Sequence, residues 1–240
     1  MKKMSDSYCL SEHSKPDFPL AYGKFATGLS HGVGKIDCLV GALGSGGSMW
    51  GTSKFLAMLF PALYANGGVD TRNSILLGRS SGRRHLSELR ANAVSPALDR
   101  KHFDELRRLT AAEALHATHQ LLNRSHRRFT PPRTGTTYKV GDTWSKTRSG
   151  DKVVTIFPDK RHCYIKNVYN EEWLFSFEER LTSAREEPVP AEELTDLSSY
   201  AWGRRTVDEV LSRQIDHEQR RSLLPSRPDP AIQSSVEMLR

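Results

Sequence analysis

Residues 138–184 most constrain the fold, because apolar side chains recur there at every second position between clusters of turn-forming residues. Trp173, Phe175 and Phe177 share one face of a period-2 segment, with Leu174, Ser176 and Glu178 on the other. Val154 and Ile156 alternate in the same way with Val153, Thr155 and Phe157, and Cys163, Ile165 and Asn167 alternate with Tyr164, Lys166 and Val168. That period is the mark of half-buried strands. Ser149-Gly150-Asp151, Pro158-Asp159-Lys160 and Tyr169-Asn170-Glu171 supply the turns between them. The pattern predicts a meander of three or four short strands opened by Lys139-Val140-Gly141-Asp142. A unit of about 45 residues closes into a compact barrel or leans on a neighbour, since it cannot bury a large core alone.

Upstream, Phe103, Leu106, Thr110, Ala114, Ala117 and Leu121 step by three or four, and Ala111, Leu115, Thr118 and Leu122 widen the stripe. This predicts an amphipathic helix of about six turns that ends near Phe129, where Thr130-Pro131-Pro132 stops it. Arg107, Arg108, Arg124, Arg127 and Arg128 fall mainly outside the stripe. The chain carries a formal net charge of +7, and residues 72–133 alone hold 13 Lys and Arg against 5 Asp and Glu. Residues 186–240 are acidic, with 7 basic and 11 acidic side chains. A basic middle of this kind fits a phosphate-tracking surface, and equally a solvated helix face.

The order Lys139-Val140-Gly141-Asp142, Trp144, a strand, Pro158-Asp159-Lys160-Arg161-His162, Asn167-Val168, Glu172-Trp173 and Ser176-Phe177-Glu178-Glu179-Arg180-Leu181, closing at Ala184, resembles the SH3-like C-terminal domain of retrotransposon and retroviral integrases. One departure is that Thr143 precedes Trp144 where the family has an apolar residue. Three upstream segments are similar to the same family in the same order. They are Ser74-Ile75-Leu76-Leu77-Gly78-Arg79, the run from Trp50 through Phe55 to Asn66, and the segment from Ser30 to Val40, which is similar to the turn and helix carrying the third metal-binding carboxylate.

The resemblance implies a mixed α/β chain: a helical remnant of an RNase H-like integrase core over 1–98, a basic linker helix over 99–133, an SH3-like β-barrel over 134–184, and a polar, partly disordered tail over 185–240. It implies DNA as partner, further integrase chains as possible partners, and a nuclear or alternatively cytoplasmic location. The nucleic-acid contacts it implies are Arg107, Arg108, Arg124, Arg127, Arg128, Arg133, Lys160 and Arg161. Intact relatives use Mg²⁺ held by three carboxylates. Here Asp37 stands at the third position in place of glutamate, and the first two are missing, so the implied chain binds DNA without catalysis and holds no cofactor. The alternative function is a protein-interaction module of the SH3-like chromatin type, with Trp144, Trp173 and Phe175 lining a pocket.

Other motifs point to less. Gly44-Ser45-Gly46-Gly47-Ser48-Met49 lacks the third glycine of a dinucleotide loop and the Lys-Ser/Thr of a P-loop, and reads as a flexible loop. His116, His119 and His126 have no CxxC beside them and read as a chance arrangement. Cys9, Cys38 and Cys163 are few and far apart, which suggests reduced thiols in an intracellular chain. The longest apolar run, residues 55–65, is too short for a bilayer and contains Pro61, so no membrane partner is expected. In the tail a weak helix is predicted from Thr206 to Leu223.

Overall fold

The computed structural model describes residues 18–71, 98, 102–124, 129–158, 164–175, 189–190 and 203–206. Its centre is the strand β1 (Cys38–Ala42), whose first four residues are buried. A strand covered on both faces reads as an unbroken apolar run, which Ile36 to Leu43 supplies apart from Asp37 and Gly41. β1 pairs in parallel with β2 (Tyr64–Thr71) on one side, and β2 with β3 (Glu105–Leu109) beyond it. On its other side β1 pairs in parallel with β4 (Val153–Thr155). Two further short strands, β5 (Val189–Pro190) and β6 (Gly203–Thr206), complete the order β4-β1-β2-β3-β6-β5, with β6 antiparallel to β3.

Helices cover both faces. A 3₁₀ turn (Phe18–Tyr22), α1 (Gly23–Val33) and α2 (Gly47–Leu59) bury Ala26, Met49, Phe55 and Leu56 against Leu39 and Leu106. Opposite them α3 (Ala111–Arg124) and α4 (Pro132–Thr147) pack on each other, and Val140 and Trp144 of α4 cover Cys38, Val40 and Leu109. Successive residues of β1 therefore serve different layers, as the pleat requires. The same alternation divides β4, where Val154 joins the first layer and Val153 the second. A short helix, α5 (Glu171–Phe175), contributes Trp173 and Leu174 to a smaller cluster with Leu115, Tyr164 and Val168.

The fold is thus mixed α/β with a parallel sheet, and the finer expectation is corrected. Among the described residues there is neither an SH3-like barrel nor an RNase H-like integrase core. Lys139-Val140-Gly141-Asp142 and Trp144, expected to open the barrel, lie inside α4. Their burial follows a helical step: Thr137, Val140, Gly141 and Trp144 are buried together. Trp173 and Phe175, expected on a strand, lie in α5, where Phe175 is 75% exposed. Among the described residues of this segment only Val153–Thr155 is a strand, and it joins the parallel sheet. Trp144 packs on Tyr64 with the rings tilted by 37° and their centroids 4.4 Å apart, and it belongs to a different cluster from Trp173, which dismantles the expected aromatic pocket.

The expected six-turn helix is also two elements. Glu105–Leu109 is β3, and the helix starts only at Ala111. The boundary is a capping box: the Thr110 amide donates to Glu113 Oε2 at 2.9 Å, and the Glu113 amide donates to Thr110 Oγ1 at 3.2 Å. Pro131 and Pro132 do not close that helix; Pro131 is the N-cap of α4 and Pro132 its first residue, a place where a missing N–H costs nothing.

Glycine and threonine are poor helix formers, yet α4 contains two of the first and five of the second. Packing decides the matter. A Cβ on Gly135 would lie 2.5 Å from the Thr118 amide nitrogen and 2.8 Å from the Ala114 carbonyl oxygen, so α4 crosses α3 backbone to backbone. A Cβ on Gly141 would lie 2.6 Å from Thr155 Cγ2, which fixes how closely the helix sits on β4. Gly135→Ala is expected to destabilise the fold by about 1–3 kcal/mol, although alanine is the better helix former by about 1 kcal/mol. A denaturant midpoint at or above wild type would show that α3 and α4 are not in this contact.

The β1–β4 edge is latched at its start. The amides of Asp37 and Cys38 donate to the Lys152 carbonyl at 3.0 and 3.2 Å, and the Lys152 amide donates back to Asp37 Oδ2 at 3.0 Å. Lys152 Nζ donates to the Val33 carbonyl at 2.7 Å. The Lys152 amide, and after it Lys35, hold the Asp37 carboxyl below its usual 3.8. A depressed carboxyl stabilises the fold above the unfolded pKa, and the contribution is lost as pH falls through the folded value. Asp37→Asn is therefore expected to lower the Tm at about pH 7, and the gap to close towards about pH 2. A gap of equal size at both values would remove the latch from the account.

Candidate functional site: a glycine-rich cleft at the carboxyl edge of the sheet

Chain order makes β1 the point where the sheet changes direction, since β2 and β3 follow on one side and β4 is added on the other. In open parallel sheets the crevice beyond the carboxyl ends of the strands at such a point is where ligands bind, because the two connecting segments diverge and leave it open. A cavity of about 190 Å³ lies there, at the ends of β1 and β4. That is several times the ~30 Å³ share of one water, so it admits a small-molecule group. Its wall includes Gly44, Ser45, Gly46 and Ser48 from the loop into α2, Tyr22 from the 3₁₀ turn, and Arg133 from the start of α4.

The loop has a fixed shape. Gly46 is the N-cap of α2 with φ +85°, a left-handed conformation open to glycine at little cost. A Cβ there would also run into the Leu98 side chain. Gly41, at the end of β1, has no room for a Cβ beside Met49. These two positions let the chain turn tightly from strand to helix, and the Trp50 amide then donates to the Gly46 carbonyl at 2.9 Å. Gly46 offers no capping side chain, and no acidic residue stands in the first turn of α2. The first amides of the helix and its dipole are thus presented to an anion. Ser45 and Ser48 add hydroxyls and Arg133 a guanidinium, while none of the lining residues is acidic.

The structure places the sequence-predicted residues apart. Arg133 lines the cavity. Arg107 is buried in β3 and pairs with Glu105 at 2.9 Å, and Arg108 stands opposite Asp70 in the sheet register. Arg124 ends α3, exposed, 3.4 Å from the Tyr138 hydroxyl and 4.0 Å from Asp142. Asp37 lies at the amino end of β1, away from the cavity, and pairs with Lys35. Arg127, Arg128, Lys160 and Arg161 lie outside the described residues, as do the segment 74–79 and His126. Of the paired histidines, His119 Nε2 lies 2.8 Å from the Val168 carbonyl and its ring tilts on Tyr169. Among the described residues no three His, Cys, Asp or Glu side chains gather as a metal site, and no helix is long and apolar enough to cross a membrane. Cys38 is buried and is in no disulfide.

Sequence reasoning missed the loop and Tyr22. The available signal was position: an apolar strand-like run ends at Leu43, five residues of glycine and serine follow, and an apolar helix begins at once.

No protein-family model matches the chain. It is 27% identical over 157 residues to the N-(2-amino-2-carboxyethyl)-L-glutamate synthase of Cupriavidus metallidurans, covering 64% of this chain and 46% of that protein. It is 25% identical over 171 residues to the cysteine synthase of Helicobacter pylori, covering 70% and 56%. The O-acetylserine dependent cystathionine β-synthase of Bacillus subtilis matches at 25% over 170 residues, covering 70% and 55%. Among solved structures, the O-acetylserine dependent cystathionine β-synthase from Helicobacter pylori superposes with a TM-score of 0.63 at 25% identity, over 70% of this chain and 55% of the other. O-ureido-L-serine synthase shares the fold with a TM-score of 0.59 at 18% identity. The chain spans about half the length of the curated relatives it matches. These findings overturn the integrase resemblance, and with it the reading as a DNA-binding retroelement fragment or an SH3-like interaction module. Asp37 precedes a strand instead of riding a helix, and the residues taken for the barrel build α4, β4 and α5. The homologues and structural neighbours are enzymes of the cysteine synthase type, with the pyridoxal-phosphate-dependent fold.

Proposed function

We propose that the chain forms the phosphate-anchoring part of a pyridoxal-phosphate-dependent synthase of the cysteine synthase type, acting on an O-activated serine. The observation that carries the reading is the Gly44–Ser48 loop at the switch point of the sheet, with its helix start and Arg133 facing one cavity. The names of the relatives support the substrate class, since cysteine, cystathionine and O-ureido-L-serine are named as products and O-acetylserine as a requirement.

The residues present fit the cofactor. A phosphate monoester offers three acceptor oxygens and up to two negative charges, and the cavity wall combines backbone amides, two hydroxyls and a guanidinium with no carboxylate. A Cβ at Gly44 would meet nothing within 4 Å, so that stretch of backbone stands clear for a ligand to approach. Bound pyridoxal phosphate supplies an electron sink for carbanion chemistry on amino acids. The loop and Arg133 would fix its phosphate, and Tyr22 would close one side of the cleft. No lysine lines this cavity among the described residues, so the amine that holds the cofactor's aldehyde is not assigned to them.

The test uses pyridoxine 5′-phosphate, which lacks the aldehyde and so cannot label surface lysines. Calorimetry of the full chain is expected to show saturable binding, and Ser45→Asp to weaken it by at least about tenfold through like-charge repulsion, with an unchanged melting curve. Absence of saturable binding, or a Ser45→Asp variant that binds as well as wild type, rejects the reading.

A further inference from the structure

We propose that the Met49 side chain forms the floor of this cleft and limits the group that enters to the size of one phosphate, with Gly41 as the empty place that keeps the thioether out of the cavity. The inference rests on the anchoring role given to the cleft above. It comes from the third residue of α2, which serves the cleft twice. The first hydrogen bond back along the helix is that of the Trp50 amide to the Gly46 carbonyl, so the amides of Gly47, Ser48 and Met49 precede the ladder. The Met49 side chain is 1% exposed, belongs to the buried cluster of Leu39, Leu43 and Leu56, and also lines the cavity. Gly41 lines it too, and a Cβ there would lie 2.7 Å from Met49 Cγ and collide with its Sδ. Gly41 has no left-handed φ, so the thioether alone excludes a side chain at that position. At this level β2 carries one residue more than either neighbour: Gly41 pairs with Gly67 but Ala42 with Val69. A bulge of this kind raises the local twist, and it falls where β1 gives way to the cavity.

The cavity of about 190 Å³ is smaller than the roughly 300–1,000 Å³ that encloses a whole drug-sized ligand, so it takes one end of the cofactor. The glycine turn and the helix start fix its polar wall. Its depth is therefore set by the apolar wall, made of Ala42, Leu43, Met49, Ile156 and Pro158. Among these Met49 has the long unbranched side chain with three rotatable bonds, and it can move where the others are held. An alanine at position 41 would drive it from its place. The cluster behind it is close-packed, so the space open to a displaced thioether is the cavity itself. A phosphate monoester presents three small oxygens to the amides and the floor. A phosphodiester replaces one of them with an alkoxy group, which needs depth that Met49 occupies.

The experiment measures pyridoxine 5′-phosphate and its methyl phosphodiester by calorimetry on the full chain. Wild type is expected to prefer the monoester by at least about tenfold, and Met49→Ala to narrow that preference by about tenfold. The two ligands differ in charge as well as size, but neither methionine nor alanine is charged, so the narrowing reads size. Gly41→Ala is expected to weaken the monoester by about tenfold, and Gly41→Ala/Met49→Ala to recover it to within about threefold of wild type. Stoichiometry reports the folded fraction separately from affinity. Met49→Val, which leaves less buried volume empty, repeats the comparison where Met49→Ala does not fold, with a smaller narrowing expected. An unchanged preference in the Met49 variants, a Gly41→Ala variant that binds as wild type does, or a double variant no better than Gly41→Ala overturns the assignment. Wild type that binds both ligands equally overturns it too and leaves the anchoring role standing. Wild type that binds neither removes both.

Discussion

The burial of β1 on both faces is the constraint on which the rest depends. Cys38, Leu39 and Val40 are fully buried, and a strand so placed must have a neighbour on each edge and a helical layer on each side. β2 and β4 satisfy its backbone groups, α1 and α2 cover Leu39, and α4 covers Cys38 and Val40. Because later strands are added on opposite sides of β1, its carboxyl end becomes a crevice. The site follows from the core, as the same strand that centres the hydrophobic layers ends at the glycine loop.

Glycine sets the distances in this arrangement. Gly41 admits Met49, Gly23 admits the ring of Phe55, Gly135 admits the backbone of α3 and Gly141 admits Thr155. Each would be crowded by a single added methyl group. The helices can therefore approach the sheet and one another closely even where side chains are small, and α4 survives its weak intrinsic propensity because its contacts demand small residues. The buried threonines of α3 and α4 spend their hydroxyls locally, Thr118 on the Ala114 carbonyl and Thr137 on the Thr134 carbonyl, so that they pack almost as apolar residues. Thr134 is a contrast, with a buried hydroxyl lacking such a bond.

The class of fold was legible in part, and the reasons for the remainder are local. Val153, Val154 and Thr155 alternate as a strand and are one, but alternation does not tell a strand at a sheet edge from one in a barrel. Trp173 and Phe175 alternate too, yet a segment of five residues fits a short helix as readily. The stripe from Phe103 to Leu121 ran through a boundary that the sequence did mark: Thr110-Ala111-Ala112-Glu113 is a capping box, and its glutamate is buried where it bonds to the Thr110 amide. Two prolines read as a stop were a start, because the first turn of a helix tolerates them and its interior does not. The integrase likeness rested on short runs of turn and aromatic residues in the right order, and such runs recur in unrelated folds. The cleft was passed over because its glycines match no dinucleotide or P-loop spacing, whereas the informative property was their place between a buried strand and a helix start.

Charge misled for a related reason. Residues 72–133 are strongly basic, but a count assigns no position to any side chain. Arg107 lies inside the sheet against Glu105, a pairing that offsets the cost of burying both charges. Arg124 is exposed on the end of α3 beside Asp142, where screening by solvent leaves little interaction energy. Arg133 stands at the wall of the cavity, which Ser45 and Ser48 also line. Three arginines from one basic segment thus meet three environments, and a guanidinium acts on an anion according to what surrounds it. A surface that follows a polyanion needs such groups side by side on one face. A site for a single phosphate needs one of them in a cleft, and this is the arrangement that the turn of the chain at Pro131 and Pro132 produces.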